Sequence, residues 1–202
     1  MVTPTQEKIQ QVAMQHFLRD GFKSASLRKI VAESGFTSGA FYGYYKKKED
    51  LFDALVKETA DGIIALITEI GDSVEALPTD QAFIGMSDGF KYALPKLLDY
   101  LFEHIDEVRL LFKCSEGTKY NNFLSGVMSH ELEFWKEYTG KDFPISPLAA
   151  NLLVNSYFRL LGDAVLSDES REEIAKAMQN INNIYIMGMA NLIKEHKENE
   201  TL

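Results

Sequence analysis

A chain of 202 residues, 46% hydrophobic and 11% aromatic, is long enough to bury a core in one domain or two small ones. No apolar run approaches the roughly 20 residues of a membrane span, and the N-terminus lacks the pattern of a signal peptide, so we expect a cytoplasmic protein with no membrane partner. The single cysteine, Cys114, excludes an intramolecular disulfide and fits a reducing compartment.

The net charge of −9 is unevenly distributed along the chain. Residues 1–50 hold eight Lys and Arg against five Asp and Glu, whereas the remaining residues hold 13 against 25. A basic N-terminal part on an acidic body indicates a DNA-facing head, because the acidic body is repelled by the duplex and helps to orient the head toward it.

The first predicted helix begins at Thr3 and Pro4, with Gln6 completing a capping box, and ends at Gly21. His16 lies beside the apolar stripe of this helix. We interpret it as a structural or surface histidine, because no second ligand lies at metal-binding spacing. No metal site is therefore predicted.

Two short helices separated by a glycine turn at Gly35 come next. The first has apolar residues at i, i+3 and i+4 spacing, and either Ser24 or Ser26 is placed to cap it. Either Thr37 or Ser38 is placed to cap the second. This arrangement is close to a helix-turn-helix.

The second short helix has one apolar side, formed by Phe41 and Tyr45. Its other side is nearly bare, although glycines there destabilise a helix by about 1 kcal/mol each. A bare face lets the helix backbone approach a partner closely, and tyrosine hydroxyls beside it can bond phosphate oxygens. The residues of this bare face are Gly39, Ala40 and Gly43, flanked by Tyr42 and Tyr44.

Three lysines, Lys46, Lys47 and Lys48, precede the fourth helix and oppose its dipole, which is reasonable if an anion completes the site. Taken singly, paired glycines often ease packing and a lysine run is often a solvated face. Together on one helix-turn-helix, they favour DNA.

The rest of the chain is also predicted to be helical. Pro95 is expected to kink or split one of them. No strand alternation is present, so the prediction is an all-α fold of about nine helices. The later predicted helices cover about 48–69, 79–103, 106–115, 118–138, 147–166 and 170–196.

Signatures of catalysis are missing from the sequence. It has no glycine-rich phosphate loop and no GxSxG elbow. His130 and Glu131 begin a metalloprotease-like pattern, but Phe134 stands where the second histidine is required. We therefore predict that the protein is not an enzyme.

Residues 35–51, GFTSGAFYGYYKKKEDL, resemble the signature of the TetR family. The departures are Tyr45 where phenylalanine is usual, Gly43 where a larger polar residue is common, and Ala25 where a threonine often begins the second helix. The resemblance covers about the first 60 residues. The matching positions are Gly35, Thr37, Gly39, Phe41, Tyr42, Lys48 and Leu51, together with Tyr45, which matches as an aromatic residue.

The resemblance implies a DNA-binding domain over residues 1–48, with the helix-turn-helix at about 25–45 and helix four linking from 48. It implies an effector-binding and dimerisation domain over 49–202. The helices at about 147–166 and 170–196 carry apolar residues on more than one face, which independently indicates a partner subunit. The expected dimer-interface residues are Leu153, Tyr157, Leu160, Ile181, Tyr185 and Met189.

The implied function is a transcriptional regulator, usually a repressor, that binds a palindromic operator in double-stranded DNA as a homodimer. An unidentified small-molecule effector would release it, and no cofactor is expected. The alternative is a helical protein-interaction module with a vestigial DNA-binding head. The predicted DNA-binding residues are Ser26, Arg28, Thr37, Ser38, Gly39, Ala40, Tyr42, Tyr44, Lys46 and Lys48. The predicted effector-pocket residues are Phe90, Leu94, Leu98, Phe112, Cys114, Tyr120, Phe123, Met128, Trp135 and Tyr157.

Overall fold

The structure is a computed structural model that describes residues 3–75, 93–124, 126–127 and 145–200. These residues form helices and turns and contain no strand, which confirms the all-α prediction. The longer helices among the described residues are α1 (Pro4–Ser24), α2 (Leu27–Glu33), α3 (Ser38–Tyr44), α4 (Lys48–Glu75), α5 (93–103), α6 (Ile105–Lys113), α7 (Pro147–Val165) and α8 (Arg171–Glu200).

The chain divides into two compact units. The first consists of Met1–Gly62 and His104–Phe123, and the second consists of Ile63–Glu103 and Leu124–Leu202. Helix α6 and the turns after it therefore belong with the N-terminal helices. This is a different division from the predicted boundary at residue 48.

Helix α1 begins as predicted. The Thr3 hydroxyl accepts a hydrogen bond from the Gln6 N–H, and the Gln6 side chain accepts one from the Thr3 N–H. The helical geometry is interrupted at Gly21, whose φ of 73° is accessible to glycine with little strain. Residues 22–24 form a last short helical stretch before α2.

The helix-turn-helix forms with the predicted chemistry. The Ser26 hydroxyl caps α2 by accepting from the Lys29 N–H, and the Thr37 hydroxyl caps α3 by accepting from the Ala40 N–H. Gly35, between the two helices, has a φ of 81°. Of the two caps considered for each helix, Ser26 and Thr37 are the ones used.

An aromatic cluster forms part of the core of the first unit. The Phe17 ring lies 5.3 Å from the Phe52 ring, and the Phe22 ring lies 5.2 Å from Phe52 in an edge-to-face arrangement. All three side chains are buried. The cluster therefore fixes the end of α1 against the first turns of α4.

The helix predicted to start at Thr118 starts later, since the first helical residue is Phe123 and the described residues 123–124 and 126–127 are helical. Residues 116–122 form turns, in which the Thr118 hydroxyl donates to the Ser115 carbonyl and the Ser115 hydroxyl donates to the Tyr120 carbonyl. Asn122 has a positive φ of 63°. Hydroxyl side chains compete with helical hydrogen bonds for backbone groups, which explains the error.

In the second unit, α7 and α8 begin at the predicted caps. The Ser146 hydroxyl accepts from the Ala149 N–H, and the Ser170 hydroxyl accepts from the Glu173 N–H. Of the helix predicted over 79–103, only 93–103 is described. No helix within the described ranges is long and apolar enough to span a bilayer.

Candidate nucleic-acid interface

Helix α3 is held in place by its apolar side. Phe41 and Tyr45 are buried, with ring centroids 5.6 Å apart. The Tyr45 hydroxyl accepts a hydrogen bond of 2.9 Å from the Gln10 amide on α1. Because both anchors point into the unit, the opposite side of α3 faces outward, as predicted.

Steric crowding within the chain does not require glycine on the outward side of α3. Apart from its chain neighbours and the backbone of α3 itself, a Cβ atom added at Gly43 would meet no atom within 4 Å, and one added at Gly39 would meet only the Thr37 hydroxyl oxygen at 3.8 Å. Neither glycine has a positive φ. The free protein therefore has room for alanine at both positions, and packing within the chain does not explain the glycines.

Two tyrosines flank this bare face. The Tyr42 side chain is 59% exposed and packs edge-on against Phe41, with ring centroids 5.3 Å apart. Tyr44 is also exposed. Each phenol thus presents a hydroxyl beside the face, where it is available to a phosphate oxygen.

The other predicted DNA-binding residues lie on the same unit. Arg28 is exposed on α2, and Thr37 and Ser38 are exposed at the start of α3. Ser26 and Ala40 are half-buried. Their contacts with DNA remain a prediction.

Helix α2 is positioned by a contact that the sequence did not reveal. His16 is only 1% exposed, and its Nε2 lies 2.7 Å from a carboxylate oxygen of Glu33 at the end of α2. Its Nδ1 lies 3.1 Å from the Arg19 guanidinium. This confirms a structural role for His16. The partner was missed because the two residues are 17 apart in sequence.

The three lysines after α3 have different environments. Lys46 and Lys47 are exposed, and the Lys46 N–H donates to the Asp50 carboxylate at 3.0 Å. Lys48 is half-buried and its ammonium group points toward the end of α1. Only the first two present their charge openly to solvent.

The predicted effector-pocket residues fall in both units. Phe112, Cys114, Tyr120 and Phe123 belong to the first, where the Phe123 ring stacks on Phe112 with centroids 6.2 Å apart. The others that are described, Leu94, Leu98 and Tyr157, are buried in the second. Phe90, Met128 and Trp135 lie outside the described residues. The pocket remains a prediction.

The predicted dimer residues divide between an internal and an external face of α7 and α8. Tyr157 is 6% exposed, and its ring centroid lies 5.9 Å from that of Tyr185 within the same chain. Leu153 and Ile181 are half-buried, whereas Leu160 is exposed. Met189 lies on α8, but its side chain is outside the described part of the structure. Other exposed apolar residues on these helices are Leu148, Leu152, Ile184, Met187 and Leu192.

The capped helix pair, its left-handed glycine turn and its anchored second helix define a helix-turn-helix protein. Residues 9–55 match the model of the bacterial regulatory proteins of the tetR family. The N-terminal part of this chain is therefore similar to the DNA-binding domain of that family over these residues.

Two relatives by sequence are helix-turn-helix regulators. The chain is 27% identical over 137 residues to the HTH-type transcriptional repressor SCO4008 of Streptomyces coelicolor, an alignment that covers 68% of this chain and 60% of that protein. It is 20% identical over 178 residues to the HTH-type transcriptional regulator YfiR of Bacillus subtilis, which covers 84% of each.

Solved structures share the fold over most of the chain. A transcriptional regulator from Aquifex aeolicus VF5 superimposes with a TM-score of 0.57 at 20% identity, covering 90% of this chain and 99% of that one. A TetR family transcriptional regulator from Chloroflexus aurantiacus gives a TM-score of 0.61 at 15% identity, covering 95% and 92%. At these identities the likeness concerns the fold alone.

Proposed function

We propose that this protein is a transcriptional regulator that binds duplex DNA through the outward face of α3. The observation that carries the proposal is the unexplained space at Gly39 and Gly43. Their side-chain positions are empty in the free protein, yet glycine destabilises a helix. A partner that approaches the α3 backbone closely explains both facts, and a major groove admits a helix in this way.

The surroundings of this face fit a polyanionic partner. Exposed Arg28, Lys46 and Lys47 supply cations, and the hydroxyls of Tyr42 and Tyr44 supply donors for phosphate oxygens. Such contacts position a helix, whereas Ser38, Gly39 and Ala40 would lie near base edges. The match of residues 9–55 to a family of regulatory proteins supports the same partner.

We propose that the protein acts as a homodimer on a palindromic operator, in the manner of a repressor. The support is the exposed apolar side of α7 and α8, which a single chain leaves in water. One relative is a transcriptional repressor, which supports repression over activation. Two copies of α3 would then enter successive major grooves about 34–36 Å apart.

We also propose that a small molecule releases the protein from DNA. The support is that α6 and the turns after it form one compact unit with the helix-turn-helix. A compound that displaced α6 would therefore disturb the DNA-binding helices directly. A differential affinity of about 1.4 kcal/mol between the two states is enough for a tenfold change in occupancy.

Selection of bound duplexes from a random library, followed by a fluorescence anisotropy titration in low salt, tests DNA binding. We expect a palindromic sequence to be enriched and its affinity to fall steeply as salt rises. A chain that bound no duplex in low salt would contradict the proposal. For the effector, a compound that raises the thermal midpoint should also release DNA, and stabilisers that leave DNA bound would contradict the coupling.

A further inference from the structure

The ammonium group of Lys48 is hydrogen-bonded to backbone carbonyl groups of the same chain. Its Nζ donates to the carbonyl oxygens of Phe22 at 2.6 Å, Ala25 at 2.9 Å and Lys23 at 3.4 Å. An ammonium group has three donors, so this set uses all of them. The three carbonyls lie at the C-terminal end of α1, where a helix carries partial negative charge.

The Lys48 side chain also packs against an aromatic ring. Its Nζ lies 4.4 Å from the ring centroid of Phe22, which is within the range of a cation–π contact. Phe22 is buried and part of the cluster with Phe17 and Phe52. Burial lowers the pKa of Lys48, although the neighbouring carboxylate of Glu49 partly offsets this effect.

The contacts of Lys48 join the two ends of the helix-turn-helix. The carbonyl group at Ala25 comes two residues before α2 begins, and Lys48 itself comes four residues after α3 ends. We propose that Lys48 is a positioning residue that sets the placement of α2 and α3 for DNA binding, instead of neutralising a phosphate itself. This inference rests on the proposed function.

A phosphate contact and a positioning role predict different salt dependence. A lysine that neutralises one phosphate contributes about 0.9 to the slope of log affinity against log salt on duplex DNA. Lys48→Met removes the charge and the donors but keeps most of the stem. The positioning role predicts roughly a tenfold loss of operator affinity through lost preorganisation, with the wild-type slope retained. Lys47→Met, at an exposed lysine, is the matched control and should lower the slope by about 0.9 per subunit.

Lys48→Arg separates the two roles in a second way. Arginine binds phosphate at least as well as lysine, so a phosphate contact would survive this change. A planar guanidinium does not fit the site of a compact ammonium among three converging carbonyls, so the positioning role predicts weakened binding. Wild-type affinity in Lys48→Arg, or a lowered slope in Lys48→Met, would overturn the proposal. Affinities are compared below the thermal transition of each variant.

Amine labelling of the unmodified full-length chain tests the assignment without a mutation. An acetylating reagent should modify Lys48 several-fold more slowly than Lys47 in the free protein, and operator duplex should protect Lys47 while leaving the Lys48 rate unchanged. Equal rates in the free protein, with protection of Lys48 on DNA, would overturn the assignment. Failure of the wild-type chain to bind any duplex would instead overturn the proposed function, and it would leave the slow labelling of Lys48 intact.

Discussion

The N–H of Phe22 donates a hydrogen bond of 2.9 Å to the carbonyl oxygen of Cys114. It joins the end of α1 to the residue that follows α6, about 90 positions later in the chain. An exposed ion pair between Lys23 and Glu116, 2.7 Å long, lies beside it. Elements far apart in sequence thus form one unit with the helix-turn-helix. A displacement of α6 would be transmitted to the helix-turn-helix through this contact.

A second link in this unit makes its stability sensitive to alkaline pH. The Tyr120 hydroxyl donates to the Asp53 carboxylate at 2.6 Å, and Lys119 pairs with the same oxygen at 2.6 Å. Burial raises the pKa of Tyr120, and the hydrogen bond to Asp53 raises it further. Because the pKa in the folded state exceeds the unfolded value of about 10, this stabilisation is complete below pH ~10 and is lost as the pH rises above it.

We therefore expect Tyr120→Phe to lower the thermal midpoint at neutral pH, through loss of a hydrogen bond that contributes about 1 kcal/mol. The difference from wild type should shrink as the pH is raised past ~10. Thermal unfolding followed by circular dichroism across this range measures it. Tyr44→Phe, at an exposed phenol, is the control. A difference that stayed constant with pH would contradict the prediction.

The buried imidazole of His16 leads to a prediction about α2. A carboxylate only accepts and a guanidinium only donates, so the contacts with Glu33 and Arg19 place the proton of a neutral imidazole on Nε2. Glu33→Ala removes the acceptor and leaves a buried donor unpaired, which should reduce the free energy of unfolding by about 1–3 kcal/mol.

Glu116→Ala is the matched control for Glu33→Ala, because it also removes a carboxylate from an ion pair but both partners are exposed. We expect this control to change the free energy of unfolding by about 0–1 kcal/mol. Urea titrations of the two variants in parallel provide the comparison. Equal effects would show that the His16 contact does not hold α2.

Much of the first unit was predictable because its signals are local. The cap at Thr37 and the left-handed turn at Gly35 depend on residues within a few positions of each other. The bare face of α3 follows from helical periodicity alone. Local chemistry therefore predicted the shape and the exposed side of the candidate site.

The remaining features depend on contacts between distant segments. The three carbonyls around Lys48 lie 23 to 26 residues before it, and no periodicity relates them to it. Tyr157 carries the apolar character of an interface residue, and its buried ring packs against Tyr185 of the same chain. Composition shows that a side chain is apolar, whereas only the packing shows what covers it.

Assembly is tested on the exposed side of α8. Ile184 is 69% exposed, and a charge there should prevent burial of this side against a second copy. We expect Ile184→Glu to be monomeric in sedimentation velocity and to lose operator binding. Gln179→Glu is the control, because Gln179 is exposed roughly 140° around the same helix. A dimeric Ile184→Glu chain would contradict this interface.

The bare face of α3 predicts opposite effects of one methyl group on stability and on binding. Because a Cβ at Gly43 meets nothing within 4 Å, Gly43→Ala should increase the free energy of unfolding by about 0.5–1 kcal/mol. Operator affinity should nevertheless fall about tenfold, or ~1.4 kcal/mol, because the methyl group occupies space that the duplex needs. Urea titration gives the free energy of unfolding and fluorescence anisotropy gives the operator affinity, both on the same preparation. Gln15→Ala, on the exposed side of α1, is the control and should change neither quantity appreciably. A stabilised variant with undiminished affinity would mean that DNA does not approach this face.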